Sequence, residues 1–157
     1  MVVVAAVDRS DRAGRVVTEA VALGAAFGEP VHVVHSINRS TFVDIGVRTA
    51  QDGDPVTIDE VRAYGKRVAK EAIEASGFDV DGADDGDADL PPIERVGLVG
   101  DPEEEIVEYA EREDARYIVV LGRKQSPTAK AVFGSVAQSV LLNAPCAVVA
   151  PPRVDRD

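Results

Sequence analysis

The chain has 157 residues, 45% of them hydrophobic and 4% aromatic, with 17 Lys and Arg against 28 Asp and Glu for a formal net charge of -11. That length fits one domain with a sizeable core, and the acidic balance argues against nucleic acid or an anionic membrane surface as a general partner. No stretch approaches the roughly 18 apolar residues of a membrane-spanning helix, and the single Cys146 excludes an internal disulfide.

The N-terminus opens directly as a strand, with neither the charged segment nor the cleavage site of a secretion signal, so a cytoplasmic location is expected. Positive charge is mostly arginine, with lysine only at positions 66, 70, 124 and 130. An acidic surface, little lysine and a core rich in Ala and Val together suggest a high-salt cytoplasm. Cys146 lies in an apolar run and reads as a buried structural thiol.

Val2–Val7 is a short, wholly apolar run, the pattern of a central strand buried on both faces. Ser10 or Asp11 then opens a helix whose small or apolar residues at Ala13, Val16, Val17, Ala20, Val21, Gly24 and Phe27 follow helical spacing. Gly28 and Pro30 stop it, and a second strand covers about Val31 to Ser36. Residues 37–54 hold no clean period, although Phe42, Val43, Ile45 and Val47 are apolar enough to pack as a flap. Thr57 and Glu60 form a capping box for a helix with Val61, Gly65, Val68 and Ala72 on its inner face, ending near Gly77. The stretch from Asp79 to Asp89 is low in complexity and acidic, which predicts a mobile surface loop over 79–90. Its carboxylates match no EF-hand spacing, and no dedicated metal site is expected.

Ile93–Val99 reads as a third strand. Asp101 caps the next helix, with Pro102 at its first position and Glu103, Glu104 and Glu105 in its first turn. Tyr117–Leu121 reads as a buried fourth strand that stops at Gly122, where the backbone can turn or let a ligand come close. A basic loop with Arg123 and Lys124 follows, and Gly134-Ser135 opens a helix running to about Leu142, with Ser135 and Gln138 spaced as a capping box. Strand, basic loop and helix start suit phosphate, because free backbone N–H groups and the positive end of the helix dipole point at an anion. Cys146–Val149 completes the chain as a fifth strand. Alternating strands and helices predict an open, mainly parallel α/β sheet with right-handed crossovers.

These residues resemble a family. Gly122, the basic loop and Gly134-Ser135 are similar to the G-x2-G-x9-G-[ST] loop of ATP-binding universal stress proteins. Val7-Asp8-Arg9-Ser10, Val31–Ser36, Gly100–Glu103 and Ala144–Val149 resemble further segments of that family, so the likeness covers almost the whole chain. Two departures stand out: Gln125 occupies the place of the second glycine, and the gap from Gly122 to Gly134 is one residue short. The resemblance implies a Rossmann-like sheet of the adenine nucleotide alpha hydrolase-like kind, in the order 3-2-1-4-5, as one domain over 1–152 with a tail at 153–157. Ligands of such sheets bind at the carboxyl ends of the strands where the winding reverses, here the first and fourth.

The resemblance further implies ATP, with or without Mg2+, held by Ala6, Val7, Asp8, Ser36, Leu121, Gly122, Arg123, Lys124, Gly134, Ser135 and Val136. Pairing of two copies through Cys146–Val149 is implied as well, which would cover an otherwise exposed sheet edge. His35 reads as a satisfied core or edge histidine. The chain offers no catalytic triad, no P-loop lysine motif and no zinc spacing, so a regulatory nucleotide-binding protein is expected rather than an enzyme. The alternative, raised by Gln125 and the short loop, is a dimeric interaction module that binds no nucleotide.

Overall fold

A computed structural model describes residues 1–44, 56–78, 89–122 and 133–151. Its elements are β1 (Val2–Ala6), α1 (Ala13–Phe27), β2 (Val31–Ile37), α2 (Arg39–Asp44), α3 (Ile58–Ala75), β3 (Ile93–Val99), α4 (Pro102–Arg112), β4 (Ala115–Val119), α5 (Ser135–Asn143) and β5 (Ala147–Val149). The strands form one parallel sheet in the order β3-β2-β1-β4-β5, as expected. The acidic stretch 79–88, the basic loop 123–132 and the tail from 152 lie outside the described residues.

Alternation along the strands sorts their side chains onto two faces. Val3, Ala5, Val31, Val33 and Val119 meet Val16, Val17 and Ala20 of α1 and Ala69, Ala72 and Ile73 of α3. Val2, Val4, Val34, Leu98 and Ile118 meet Ile106, Tyr109 and Ala110 of α4 and Ala137 and Val140 of α5. Because helices cover both faces, the inner strands carry apolar residues at consecutive positions, which is why β1 is Val-Val-Val-Ala-Ala.

Several ends follow the expected chemistry. Thr57 Oγ1 accepts the Glu60 N–H at 3.2 Å, Asp101 Oδ1 accepts the Glu103 N–H at 3.1 Å, and Gly28 closes α1 at φ 67°. Others depart from expectation. Helix α1 begins at Ala13 rather than at Ser10 or Asp11. Asp8 Oδ1 accepts the Ser10 N–H at 2.9 Å and Ser10 Oγ accepts the Arg12 N–H at 3.3 Å, so these side chains shape a turn ahead of the helix. The supposed loop after β2 includes α2, which Asn38 opens by accepting the Thr41 N–H at 2.7 Å. Phe42 is buried against Tyr64, whereas Val43 is exposed, and Ile45 and Val47 lie outside the described residues.

Strand β4 starts two residues earlier than expected, at Ala115, and ends at Val119. Arg116 is tolerated there because its guanidinium leaves the sheet for Glu29, donating from both Nε and Nη2 to Oε1 at 2.8 Å and lying over the Phe27 ring. Glu29 is only 8% exposed, and its Oε2 has no hydrogen-bond partner among the described residues. Strand β5 is shorter than expected, beginning at Ala147. Cys146 precedes it, half-buried against the α4/α5 core, and burial pushes its thiol above the usual pKa.

The two histidines of β2 face opposite layers. His32 points toward α4, where its Nδ1 lies 2.7 Å from the Tyr109 hydroxyl and its Nε2 3.2 Å from Glu94. A carboxylate can only accept, so Nε2 carries a proton, and in that tautomer of the neutral ring the Tyr109 hydroxyl donates to Nδ1. Burial holds the Tyr109 phenol well above its ordinary pKa, which keeps that donor protonated. Helix α3 lies close against β3: a Cβ added to Gly97 would lie 2.0 Å from the Arg62 carbonyl oxygen, and one added to Gly65 would lie 2.7 Å from the Gly97 Cα.

Candidate functional site

At the carboxyl ends of the strands the sheet forks. The last paired residues of β1 and β4 are Ala5 and Val119. Beyond them Val7 N–H bonds Val34 O of β2 at 2.9 Å, while Val120 N–H bonds Val149 O of β5 at 3.0 Å. The two inner strands therefore leave in opposite directions, each with its outer neighbour. A cavity of about 300 Å³ opens in the fork.

The cavity wall is mainly apolar. Ala6 and Val7 line it from the exit of β1, Val16 from α1, Ile106 and Pro102 from α4, and Val120 and Leu121 from the exit of β4. Polar groups enter at defined places: Asp8 from the turn before α1, His35 and Ser36 from the end of β2, and Gly134, Ser135 and Val136 from the start of α5. The Ser36 hydroxyl donates to Gly100 O at 3.1 Å and so ties the exits of β2 and β3 together. Asp8 turns Oδ1 to the Ser10 N–H.

Two helix N-termini open on this cavity, and they differ electrostatically. That of α4 is capped by Asp101 and carries Glu103, Glu104 and Glu105 in its first turn. The Glu105 carboxyl folds back over Gly100, whose φ of 144° has no room for a Cβ there, and burial holds its pKa above the usual carboxylate range. The N-terminus of α5 is bare by comparison. Its cap is Gly134 in extended conformation, with no side-chain capping bond and no acid in the first turn. The Ser135–Gln138 capping box does not form: Ser135 is already the first helical residue, so its hydroxyl is past the capping position, and Gln138 N–H bonds Gly134 O. The leading N–H groups of α5 have no intrahelical acceptor, and they and the positive end of the helix are suited to an anion.

Of the residues expected to hold a ligand, Ala6, Val7, Asp8, Ser36, Leu121, Gly134, Ser135 and Val136 come together around the cavity. Gly122 is buried and does not line it; its missing side chain accommodates the Pro151 carbonyl, 2.7 Å from where a Cβ would sit. Arg123, Lys124 and Gln125 lie outside the described residues. His35 was expected only as a satisfied histidine. Its Nδ1–H does donate to Val7 O at 2.8 Å, and the residue also lines the cavity. Its place at the carboxyl end of a strand beside the reversal point was the signal available in the sequence. Among the described residues no group of three His, Cys, Asp or Glu side chains is placed to hold a metal ion.

The sequence pattern of the Universal stress protein family matches residues 1–151. This chain belongs to that family. A universal stress protein from Archaeoglobus fulgidus is 31% identical, covering 96% of this chain and 97% of its own with a TM-score of 0.64. A universal stress protein from the same organism, solved in complex with dAMP, is 26% identical over 96% of both chains with a TM-score of 0.62. A further universal stress protein, solved in complex with cAMP, shares the fold at a TM-score of 0.59 and 22% identity, over 96% of this chain and 94% of its own. No curated protein sequence matches this universal stress protein. None of its described helices is long and apolar enough to cross a membrane.

Proposed function

We propose that this universal stress protein binds an adenine nucleotide, ATP with or without Mg2+ being the expected ligand, and acts as a regulatory protein rather than an enzyme. The observation that carries this reading is the pairing of an apolar cavity in the fork between β1 and β4 with the bare, acid-free N-terminus of α5. A flat aromatic base suits the first, and phosphate suits the second. The dAMP complex of the A. fulgidus relative supports the same ligand class. Phosphates would lie over the start of α5 at Gly134, Ser135 and Val136, with Arg123 and Lys124 neutralising charge and Gly122 turning the chain out of β4. Occupancy would then alter a surface read by partner proteins.

The protein would work in the cytoplasm as a homodimer joined through β5. That strand is an outer edge of the sheet, and Leu141 and Leu142 on the neighbouring α5 are exposed, the latter by 77%. The net charge of -11 is the basis for expecting a high-salt setting. A melting temperature that keeps rising toward molar KCl, past the range where simple screening saturates, is the expected result. A flat one would remove that part of the reading.

The nucleotide test is direct. Protein purified without added nucleotide is denatured, released small molecules are identified by mass spectrometry, and the emptied protein is titrated with ATP and Mg2+ while its mass is followed by light scattering. Stoichiometric adenine nucleotide or saturable binding by a dimer is expected. Protein that is empty and indifferent to millimolar ATP would favour the interaction module suggested by Gln125 and the shortened loop.

A further inference from the structure

We propose that His35 is the specificity-determining residue of this cavity, taking a hydrogen bond from a donor on the ligand's uncharged end and so selecting an amino-purine over an oxo-purine. The inference rests on the nucleotide reading above and adds to it how the base is chosen.

The orientation of a bound nucleotide follows from the two helix starts. A phosphate at α4 would meet Glu103, Glu104 and Glu105, whereas the first turn of α5 offers N–H groups without intrahelical acceptors and, among the described residues, no acid. The anionic end therefore goes to Ser135 of α5, which leaves the base to the lining from β1, α1 and β2, where Val7, Val16 and His35 stand.

At that wall the state of the imidazole is fixed by chemistry. Val7 O can only accept, so Nδ1 must carry a proton. The remaining nitrogen, Nε2, is then a bare acceptor whenever the ring is neutral. Burial lowers the His35 pKa from its ordinary value, with the nearby Arg9 adding to the effect, while the bond to Val7 O and the Asp8 carboxylate oppose it. On the α3 side the ring faces the edge of Tyr64, and on the α1 side the cavity wall is the apolar Val16. Asp8 and Arg9 of the β1–α1 turn and Tyr64 are thus the charged and titratable groups facing it among the described residues. A neutral His35 at physiological pH offers an acceptor to an exocyclic amine and sets a lone pair against a carbonyl oxygen in the same place.

The test compares adenosine 5′-monophosphate with inosine 5′-monophosphate, which carries an oxygen in place of the amine. Titrated at neutral pH, the adenine form should bind at least about tenfold more tightly, the scale of one satisfied bond against one opposed pair of acceptors. His35→Asn retains an N–H for Val7 O but removes Nε2, and it should bring the ratio within about threefold while adenosine monophosphate still binds. In the wild type the same ratio should shrink as the pH falls below the ordinary histidine range, where Nε2 takes up a proton and becomes a donor. The phosphate titrates alike in both ligands, so it cancels in the ratio. Equal binding of the two by the wild type, or a preference that survives in His35→Asn, overturns the role of His35 and leaves nucleotide binding standing. Failure of both ligands to bind the wild type overturns the nucleotide reading and this one with it.

Discussion

Replacing Gly97 by alanine is expected to destabilise the protein by about 3 kcal/mol or more and lower its melting temperature by roughly 10 °C. The added methyl would sit 2.0 Å from the Arg62 carbonyl oxygen and 2.9 Å from its carbonyl carbon. Both are backbone atoms of α3, so no rotamer change can make room. The whole helix must lift from β3, and with it the buried Val61, Tyr64 and Val68. Gly65→Ala makes a useful comparison, because alanine in a helix interior ordinarily gains about 1 kcal/mol over glycine. Here the new Cβ meets Gly97 Cα at 2.7 Å and His35 O at 3.0 Å, so the steric cost should exceed the propensity gain and the variant should also melt lower. Thermal unfolding followed by circular dichroism reads both. An unchanged melting temperature for Gly97→Ala would mean that α3 does not lie on β3 at this distance.

Ser135→Glu should abolish most nucleotide binding without harming the fold. The substitution places a carboxylate in the first turn of α5, at a residue that is solvent-exposed and lines the cavity. A negative side chain at a helix N-terminus stabilises the helix by about 0.3–1 kcal/mol, so the melting temperature should hold or rise slightly. A phosphate about 4 Å from that carboxylate would be opposed by about 4 kcal/mol at an effective dielectric near 20, enough for a loss of at least about a hundredfold in affinity. Ser135→Gln, of equal size but neutral, should retain most of the binding. Calorimetric titration with ATP distinguishes them. If Ser135→Glu binds as tightly as the wild type, the phosphates do not lie at α5.

Elements with local signatures were legible from the sequence. Asp101-Pro102 marks the start of α4 to the residue, Thr57 and Glu60 mark that of α3, and Ile93–Val99 has the observed bounds of β3. The misplaced ends each trace to a side chain whose partner is set by tertiary structure. Asp8 and Ser10 look like helix caps but bond amides of the preceding turn, so α1 starts late. Arg116 looks like the outside of a strand until Glu29, distant in sequence, draws it away. The six residues of α2 are too few to show a period, and only Asn38 hinted at their start.

The site was legible in outline, through the glycine at 134, the Asp after β1 and the reversal in strand order. His35 is the satisfied histidine that was expected, bonded to Val7 O; that it also lines the cavity depends on which way β2 presents its last residues. Gly97 carries no signal of its own in the sequence, since close approach of two backbones leaves no trace in either segment alone.

The fork between β1 and β4 also has a thermodynamic meaning. Val7 N–H and C=O are both held by β2, through Val34 O and the His35 ring, and Val120 N–H is held by β5. Each strand end is thus anchored on its outer side, and no backbone bond between β1 and β4 has to break for a guest to enter. The opening is part of the resting hydrogen-bond pattern of the sheet. A molecule entering there encounters walls already ordered, so the entropy of shaping this part of the cleft was settled during folding and is not charged against its affinity.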